Sequence, residues 1–247
     1  MKKLYFLIPV FLFLSCSEKN DKAYLAKNTE VINICCDTSE YDVFSVFSKD
    51  KITRFQKEID NFILRDKRTP PKDSCYLFVG SSTFRSWYNL EEEFSEFNAI
   101  NRGFGGSTYP EMIYYMNDIV FAYKPKAIII YQGDNDQYFL KPKQIYQAAC
   151  YFLKQIRIKM PTVLIYFISI KPSPSRKEKI RYTCITNEYL KKLASENYRT
   201  YYIDLFDLMY SNNEFNYNLY KNDYLHLSPE GYDLWFSKIS EELKKNK

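Results

Sequence analysis

The chain has 247 residues, 46% hydrophobic and 26% charged, the make-up of a globular protein with one sizeable core. Its net charge of +5 falls to +3 (33 basic against 30 acidic residues) once residues 1–15, with Lys2 and Lys3, are set aside. That balance is too mild to argue for nucleic acid, and no basic stripe with interleaved aromatics is present. A single histidine, His226, excludes the common zinc ligand sets and is the only imidazole available for chemistry near neutral pH.

The chain opens with Met1-Lys2-Lys3 and an apolar run of 11 residues, 4–14. A membrane-spanning helix needs roughly 20, so the run reads as an export signal. It ends Phe13-Leu14-Ser15-Cys16, which resembles the cleavage box of bacterial lipoproteins. That resemblance implies removal of residues 1–15, lipid attachment at Cys16, and an exported protein anchored to the cell envelope. Phe13 departs from the small aliphatic residue usual at its place. Residues 16–51 are polar and aperiodic and read as a tether, leaving 52–247 as the folded domain. With Cys16 set aside, five cysteines remain (Cys35, Cys36, Cys75, Cys150, Cys184), an odd number that cannot all pair. They read chiefly as small buried hydrophobes; an exported location would permit a bridge.

Residues 53–65 carry Phe55, Ile59, Phe62 and Ile63 on one helical face, and Thr69-Pro70-Pro71 stops that helix. The chain then alternates. Short apolar strands are expected at 75–79, 97–101, 127–131, 162–170 and 201–204. Between them lie helices at 108–123, 142–159 and about 175–197, the first and last opening on capping boxes, Thr108-x-x-Glu111 and Ser175-x-x-Glu178. Residues 209–222 show no periodicity and read as a functional loop or a disordered excursion. Ser228-Pro229 reads as an N-cap and first residue of a closing helix. Strands alternating with helices imply parallel βαβ units with helices on both faces. Such sheets bind ligands beyond the carboxyl ends of their strands. Five of the six glycines fall in the loops after the first three strands.

Those loops also carry the chemistry. After the first strand comes Gly80-Ser81-Ser82-Thr83. A serine at a strand-to-helix turn sits beside free helix-start amides that suit an oxyanion, and it needs a base to become a nucleophile. Asn101-Arg-Gly-Phe-Gly-Gly106 offers a further amide, and Gly133-Asp134-Asn135-Asp136 a side-chain amide. In Asp223-Tyr-Leu-His226 the carboxylate is close enough to hold the ring in one tautomer.

Four blocks in this order resemble the SGNH or GDSL family of esterases and lipases over about residue 55 to the C-terminus. The resemblance implies a flavodoxin-like three-layer α/β/α sandwich with a five-stranded, mostly parallel sheet. It implies Ser82 as nucleophile, His226 as base, Asp223 as its orienting carboxylate, and the Ser82 and Gly106 amides with Asn135 as the oxyanion pocket. No metal or organic cofactor is called for. Ser81 stands where the family's first block usually has aspartate, so altered loop hydrogen bonding is expected there. The substrate class implied is a small acyl ester, with an O-acetyl group on carbohydrate preferred. A lipid acyl esterase or lysophospholipase, and a non-catalytic glycan-binding surface lipoprotein, are the alternatives. Trp87, Tyr109, Tyr131 and Tyr138 could stack on sugar rings or be packing. Asp134 and Asp136 could pair as in a glycosidase; the preferred reading has Asp136 bracing its loop and Asp134 facing solvent. A flavodoxin-like nucleotide site is disfavoured by the absence of G-x-G-x-x-G.

Overall fold

The computed structural model describes residues 49–246. The expected signal, the lipid site at Cys16 and nearly all of the tether lie outside the described residues; Lys49–Ile52 form one helical turn.

Five strands form the sheet: β1 (Tyr76–Gly80), β2 (Ala99–Gly103), β3 (Ala127–Tyr131), β4 (Leu164–Ile168) and β5 (Thr200–Ile203). Their order is β2-β1-β3-β4-β5 and every pairing is parallel. This is the flavodoxin-like order, with the reversal beside β1 and β3. Both faces of the sheet are covered, so its strands read as near-continuous apolar runs, and each of β1, β3 and β4 is buried along its whole length.

Alternation along the strands separates two cores. Leu77, Val79, Ile128, Ile130, Ile165 and Phe167 share one with Ile59, Ile113, Phe152 and Leu193. These come from helices α1 (Gln56–Arg68), α3 (Tyr109–Tyr114), α4 (Pro142–Lys159) and α5 (Ile180–Ser195). Tyr76, Phe78, Ile129 and Tyr131 face the other way, toward Phe84 of α2 (Ser82–Arg85) and Trp235 and Ile239 of α6 (Pro229–Lys244). Truncating a fully buried residue such as Ile129 to alanine costs about 2–5 kcal/mol, a large share of a domain's net stability.

Several expectations are corrected. The helix expected at 108–123 is broken at Tyr115 into Tyr109–Tyr114 and Met116–Ile119. No capping box forms at Ser175: Pro174–Lys179 make 3₁₀ turns and α5 begins at Ile180. The Ser175 amide instead donates to the Tyr224 carbonyl at 3.0 Å, so a tertiary bond takes the place of the local one. Residues 209–222, expected to be a functional loop or a disordered excursion, include short regular elements. Asn212 and Asn213, with φ of 53° and 62°, turn a small antiparallel hairpin between Tyr210–Ser211 and Glu214–Phe215. Of the cysteines, Cys75 is free and buried, Cys184 is free and exposed, and Cys150 is disulfide-bonded.

Candidate active site

The first three strands each deliver a loop to the carboxyl end of the sheet. At the end of β1, Gly80 has φ +155° and a Cβ there would lie 2.1 Å from the Tyr131 carbonyl oxygen. Only glycine lets β1 and β3 meet so closely. Ser81 follows as N-cap of α2, its amide on the Tyr131 carbonyl at 3.2 Å. Ser82 is then the first helical residue and half-buried. Its amide donates to no acceptor among the described residues, as expected at a helix start.

The loop after β2 is tied to the first. Phe104 N–H donates to the Gly80 carbonyl at 3.0 Å, and the Ser107 hydroxyl lies 3.3 Å from the same oxygen. Gly106 has φ +78° with open space where a Cβ would be, and its amide likewise has no acceptor among the described residues. Its carbonyl is held by Arg54 Nη2 at 2.9 Å, while Arg54 Nε pairs with Glu111 at 2.6 Å. The Glu111 carboxylate also accepts the Thr108 amide and hydroxyl, each at 2.8 Å. The capping box is therefore half of a clamp. Thr108 and Glu111 are readable as sequence neighbours, whereas Arg54, 57 residues from Glu111, is not.

In the third loop, Asp136 braces the turn as expected. It accepts the Tyr109 amide at 2.8 Å and Gln132 Nε2 at 3.1 Å, and Gln132 also donates to the Ser107 carbonyl at 2.5 Å. Burial pushes the Asp136 carboxyl up to about 7, against the pull of those donors. Asn135 Nδ2 donates to the Ser107 carbonyl at 3.0 Å.

Asp134 does not face solvent. It is 5% exposed and lies between Lys171, at 2.8 Å, and the Arg176 guanidinium. Burial alone would raise its carboxyl; the two cations and their hydrogen bonds outweigh burial and hold it below the usual range. The carboxylate is affordable there because its partners come from the segment after β4, 37 and 42 residues away. Neither Asp134 nor Asp136 is presented as a glycosidase carboxylate.

The last loop holds the histidine. Asp223 Oδ2 lies 2.6 Å from His226 Nδ1, and Oδ1 accepts the Leu225 and His226 amides, each at 2.9 Å. Partial burial opposes ionisation of Asp223, but these bonds prevail and bring its carboxyl down to about 2. With a carboxylate on Nδ1, the neutral ring carries its proton there and leaves the Nε2 lone pair free, the tautomer a general base requires. Tyr224, between the pair, takes a left-handed φ of 54°. Its carbonyl receives the Ser175 amide, pinning the loop to the segment that carries Arg176. Ser228 caps α6 by accepting the Gly231 amide at 3.1 Å.

Ser82 and His226 make no direct hydrogen bond among the described residues. Helix α2, which starts at Ser82, and α6, which follows the His226 loop, are joined by Tyr232, whose hydroxyl donates to the Thr83 carbonyl at 3.0 Å and whose ring lies 5.0 Å from Trp87. Catalytic hydrogen bonds in unliganded enzymes are often long and tighten when substrate binds. Of the four aromatics considered for stacking, Trp87, Tyr109 and Tyr131 are core residues, 1%, 0% and 0% exposed. Only Tyr138 is exposed, and Tyr217 and Tyr224, not singled out from the sequence, are exposed as well. Among the described residues no cluster of histidine, cysteine and carboxylate side chains could hold a metal.

A half-buried serine, two amides that meet no acceptor among the described residues and an Asp–His pair thus lie in loops at one end of a flavodoxin-like sheet. Residues 73–234 match the GDSL-like Lipase/Acylhydrolase family, and the chain belongs to it. An ester hydrolase is therefore the general activity. The fold agrees with solved structures. A GDSL-like lipase from Bacteroides thetaiotaomicron superposes with a TM-score of 0.66 at 16% identity, over 76% of this chain and 98% of that one. A Bacteroides fragilis protein provisionally named an acylhydrolase gives 0.66 at 20% identity, over 81% and 98%. A family 3 carbohydrate esterase from Clostridium thermocellum gives 0.52 at 18%, over 70% and 98%. A search of curated proteins finds no significant match.

Proposed function

We propose that this family member is a serine esterase that removes short acyl groups, acetyl foremost, from carbohydrate. In the first step His226 Nε2 takes the Ser82 proton as the hydroxyl oxygen attacks the ester carbonyl, and Asp223 stabilises the imidazolium. The negative charge on the carbonyl oxygen falls to the amides of Ser82 and Gly106 and to Asn135. His226 then gives its proton to the departing alcohol oxygen, leaving an acyl group on Ser82. Water, deprotonated by the same ring, displaces that group and restores the serine. The observation that carries this reading is the Asp223–His226 pair, 2.6 Å apart, at the sheet end that also bears Ser82 and two uncommitted amides.

Support for the carbohydrate comes from the exposed rings of Tyr138, Tyr217 and Tyr224, which flank Asn135 and His226 in the chain. Two proteins of similar fold, a carbohydrate esterase and an acetyl esterase, are in keeping with it. Hydrolysis of p-nitrophenyl acetate by wild type and Ser82→Ala is the direct test, with loss of all but roughly 10⁻⁴–10⁻⁶ of turnover expected. Equal rates would remove the esterase reading. A profile from acetyl to dodecanoyl esters tests the acyl preference, and a long-chain optimum would favour a lipid substrate. We propose also that residues 1–15 are removed and Cys16 lipidated, anchoring the enzyme to the envelope. The mass of the mature N-terminal peptide tests this, and an unmodified or uncleaved cysteine would refute it.

A further inference from the structure

Among the groups that the mechanism above does not use, one buried cluster touches it. Asp134 immediately precedes Asn135 and is neutralised by Lys171 at 2.8 Å, yet a second cation, Arg176, is packed on the same carboxylate. The three side chains are 7%, 2% and 11% exposed. Their formal charges sum to +1. One cation suffices to neutralise Asp134, and burying a second costs solvation that the triad does not need for stability. The second cation is explained by where its remaining donor goes. Arg176 Nη1 donates to the Asp134 carboxylate and, at 2.8 Å, to the Asp134 carbonyl, while Nη2 donates to Asn135 Oδ1 at 3.0 Å. Arg176 departs from helical geometry, with φ −122° and ψ 27° inside the 3₁₀ segment.

Asn135 is thereby held at both ends. Oδ1 faces a guanidinium and one Nδ2 hydrogen faces the Ser107 carbonyl at 3.0 Å. Flipping the amide would set oxygen against carbonyl and NH₂ against guanidinium, two repulsions in place of two bonds. The second Nδ2 hydrogen meets no acceptor among the described residues and has only one direction left. A cation on Oδ1 also draws electron density from the amide and makes that hydrogen a stronger donor.

We propose that Arg176 is a positioning residue for the oxyanion pocket. It locks and polarises the Asn135 side chain and places the surplus positive charge of the Lys171–Asp134–Arg176 triad behind it. The proposal rests on the esterase reading, in which Asn135 meets the oxyanion. It commits Arg176 to act on the transition state through Asn135, not on substrate affinity.

The test is steady-state hydrolysis of p-nitrophenyl acetate by Arg176→Lys and Arg176→Gln, in wild-type and Asn135→Ala backgrounds, with a thermal melt of each protein. Lysine can keep the ion pair with Asp134 but lacks the planar fork that also reaches Asn135. Arg176→Lys should therefore melt near wild type while kcat falls about 10- to 10²-fold, part of the ~10²–10³ that an oxyanion donor supplies, with KM little changed. In the Asn135→Ala background the same substitutions should cost almost nothing further, because the group they act through is gone. Should Arg176→Gln fail to fold, Arg176→Lys carries the comparison. A kcat within twofold of wild type in a folded Arg176→Lys, or an undiminished loss on top of Asn135→Ala, overturns the proposal. Wild type without Ser82-dependent turnover overturns the esterase reading instead, and this inference with it.

Discussion

Two arginines, Arg102 buried and Arg176 half-buried, sit in similar company but end on different groups. Arg102, on β2, is 0% exposed and gives Nη2 to Asp66 at 2.5 Å, Nε to the Tyr123 hydroxyl at 2.5 Å and Nη1 to the Asn101 carbonyl at 2.7 Å. Rings of Phe62 and Tyr123 lie 5.1 and 4.9 Å from its guanidinium carbon. Its partners belong to α1, β2 and the turn before β3, so the cluster fastens an edge of the sheet to the layer above it. Arg176 has a comparable set of partners, but one of them is Asn135. A buried ion pair is thus no sign of function by itself; what matters is whether a donor ends on a group that has capacity left to spend.

The cavities teach the same lesson. A cavity of 550 Å³ lined by Asp66, Asp73, Tyr123 and Lys124 lies where the chain enters β1 and β3, at the end opposite Ser82. A smaller one of 230 Å³, lined by Ser86, Tyr88, Lys221 and Tyr232, lies beside α2 and the histidine loop. Size favours the first, but the groups the proposed mechanism uses, the Asp–His pair and the two amides that meet no acceptor among the described residues, are at the other end.

Substitutions at the two ends should separate along the same line. After Ser82→Ala, the largest effect is expected of Asp223→Asn, which keeps the loop's shape but disturbs the ring tautomer. It should lower kcat by up to about 10⁴-fold with a nearly unchanged melting temperature, read from pre-steady-state and thermal data. Asn135→Ala should lower kcat by about 10²–10³ and leave stability within ~1 kcal/mol, tested by the same pair of measurements. Arg102→Ala should do the reverse. It should cost roughly 3 kcal/mol in urea unfolding, because Asp66 loses its buried partner, while kcat per folded molecule stays at the wild-type value. A large loss of kcat there would erase the distinction between the two ends.

The smallest effect concerns Asp136. Its carboxyl is raised to about 7 when folded, so the folded state holds the proton more tightly than the unfolded chain does. Its contribution to stability is then complete below the ordinary aspartate range and lost as pH rises through about 7. Asp136→Asn should flatten that decline, by roughly 1–3 kcal/mol between pH 4 and 8 in unfolding experiments. A parallel decline in both proteins would show that Asp136 is not its source. Asp223 works in the opposite sense: its lowered value keeps it ionised, and its bond to the ring is lost only as pH falls toward about 2.

What was legible in the chain was what neighbours in sequence decide. The β-branched run Ala127–Tyr131, the Thr108–Glu111 box, the Ser228-Pro229 helix start and the Asp223–His226 pair involve residues at most four apart, and each was expected and is present. The Asn212-Asn213 hairpin was equally local, a tight-turn signal read only as loop. The failures have another origin. Asp134 looked solvent-facing because the cations that neutralise it enter from 37 and 42 residues away. Trp87, Tyr109 and Tyr131 stay open between stacking and packing in the sequence, because nothing nearby in the chain reveals that α2, α4 and α6 close over them.

The sequence by itself determined the alternation of strands and helices, the order of the four loops and the chemical types they carry, because backbone periodicity and capping act over one or two turns of chain. Tertiary structure alone decided which carboxylate stays charged, which aromatics reach solvent and which arginine turns toward the Asn135 loop. Desolvation and Coulomb energy depend on what surrounds a group in space, and in a parallel sheet those surroundings arrive from strands and crossovers far apart in the chain.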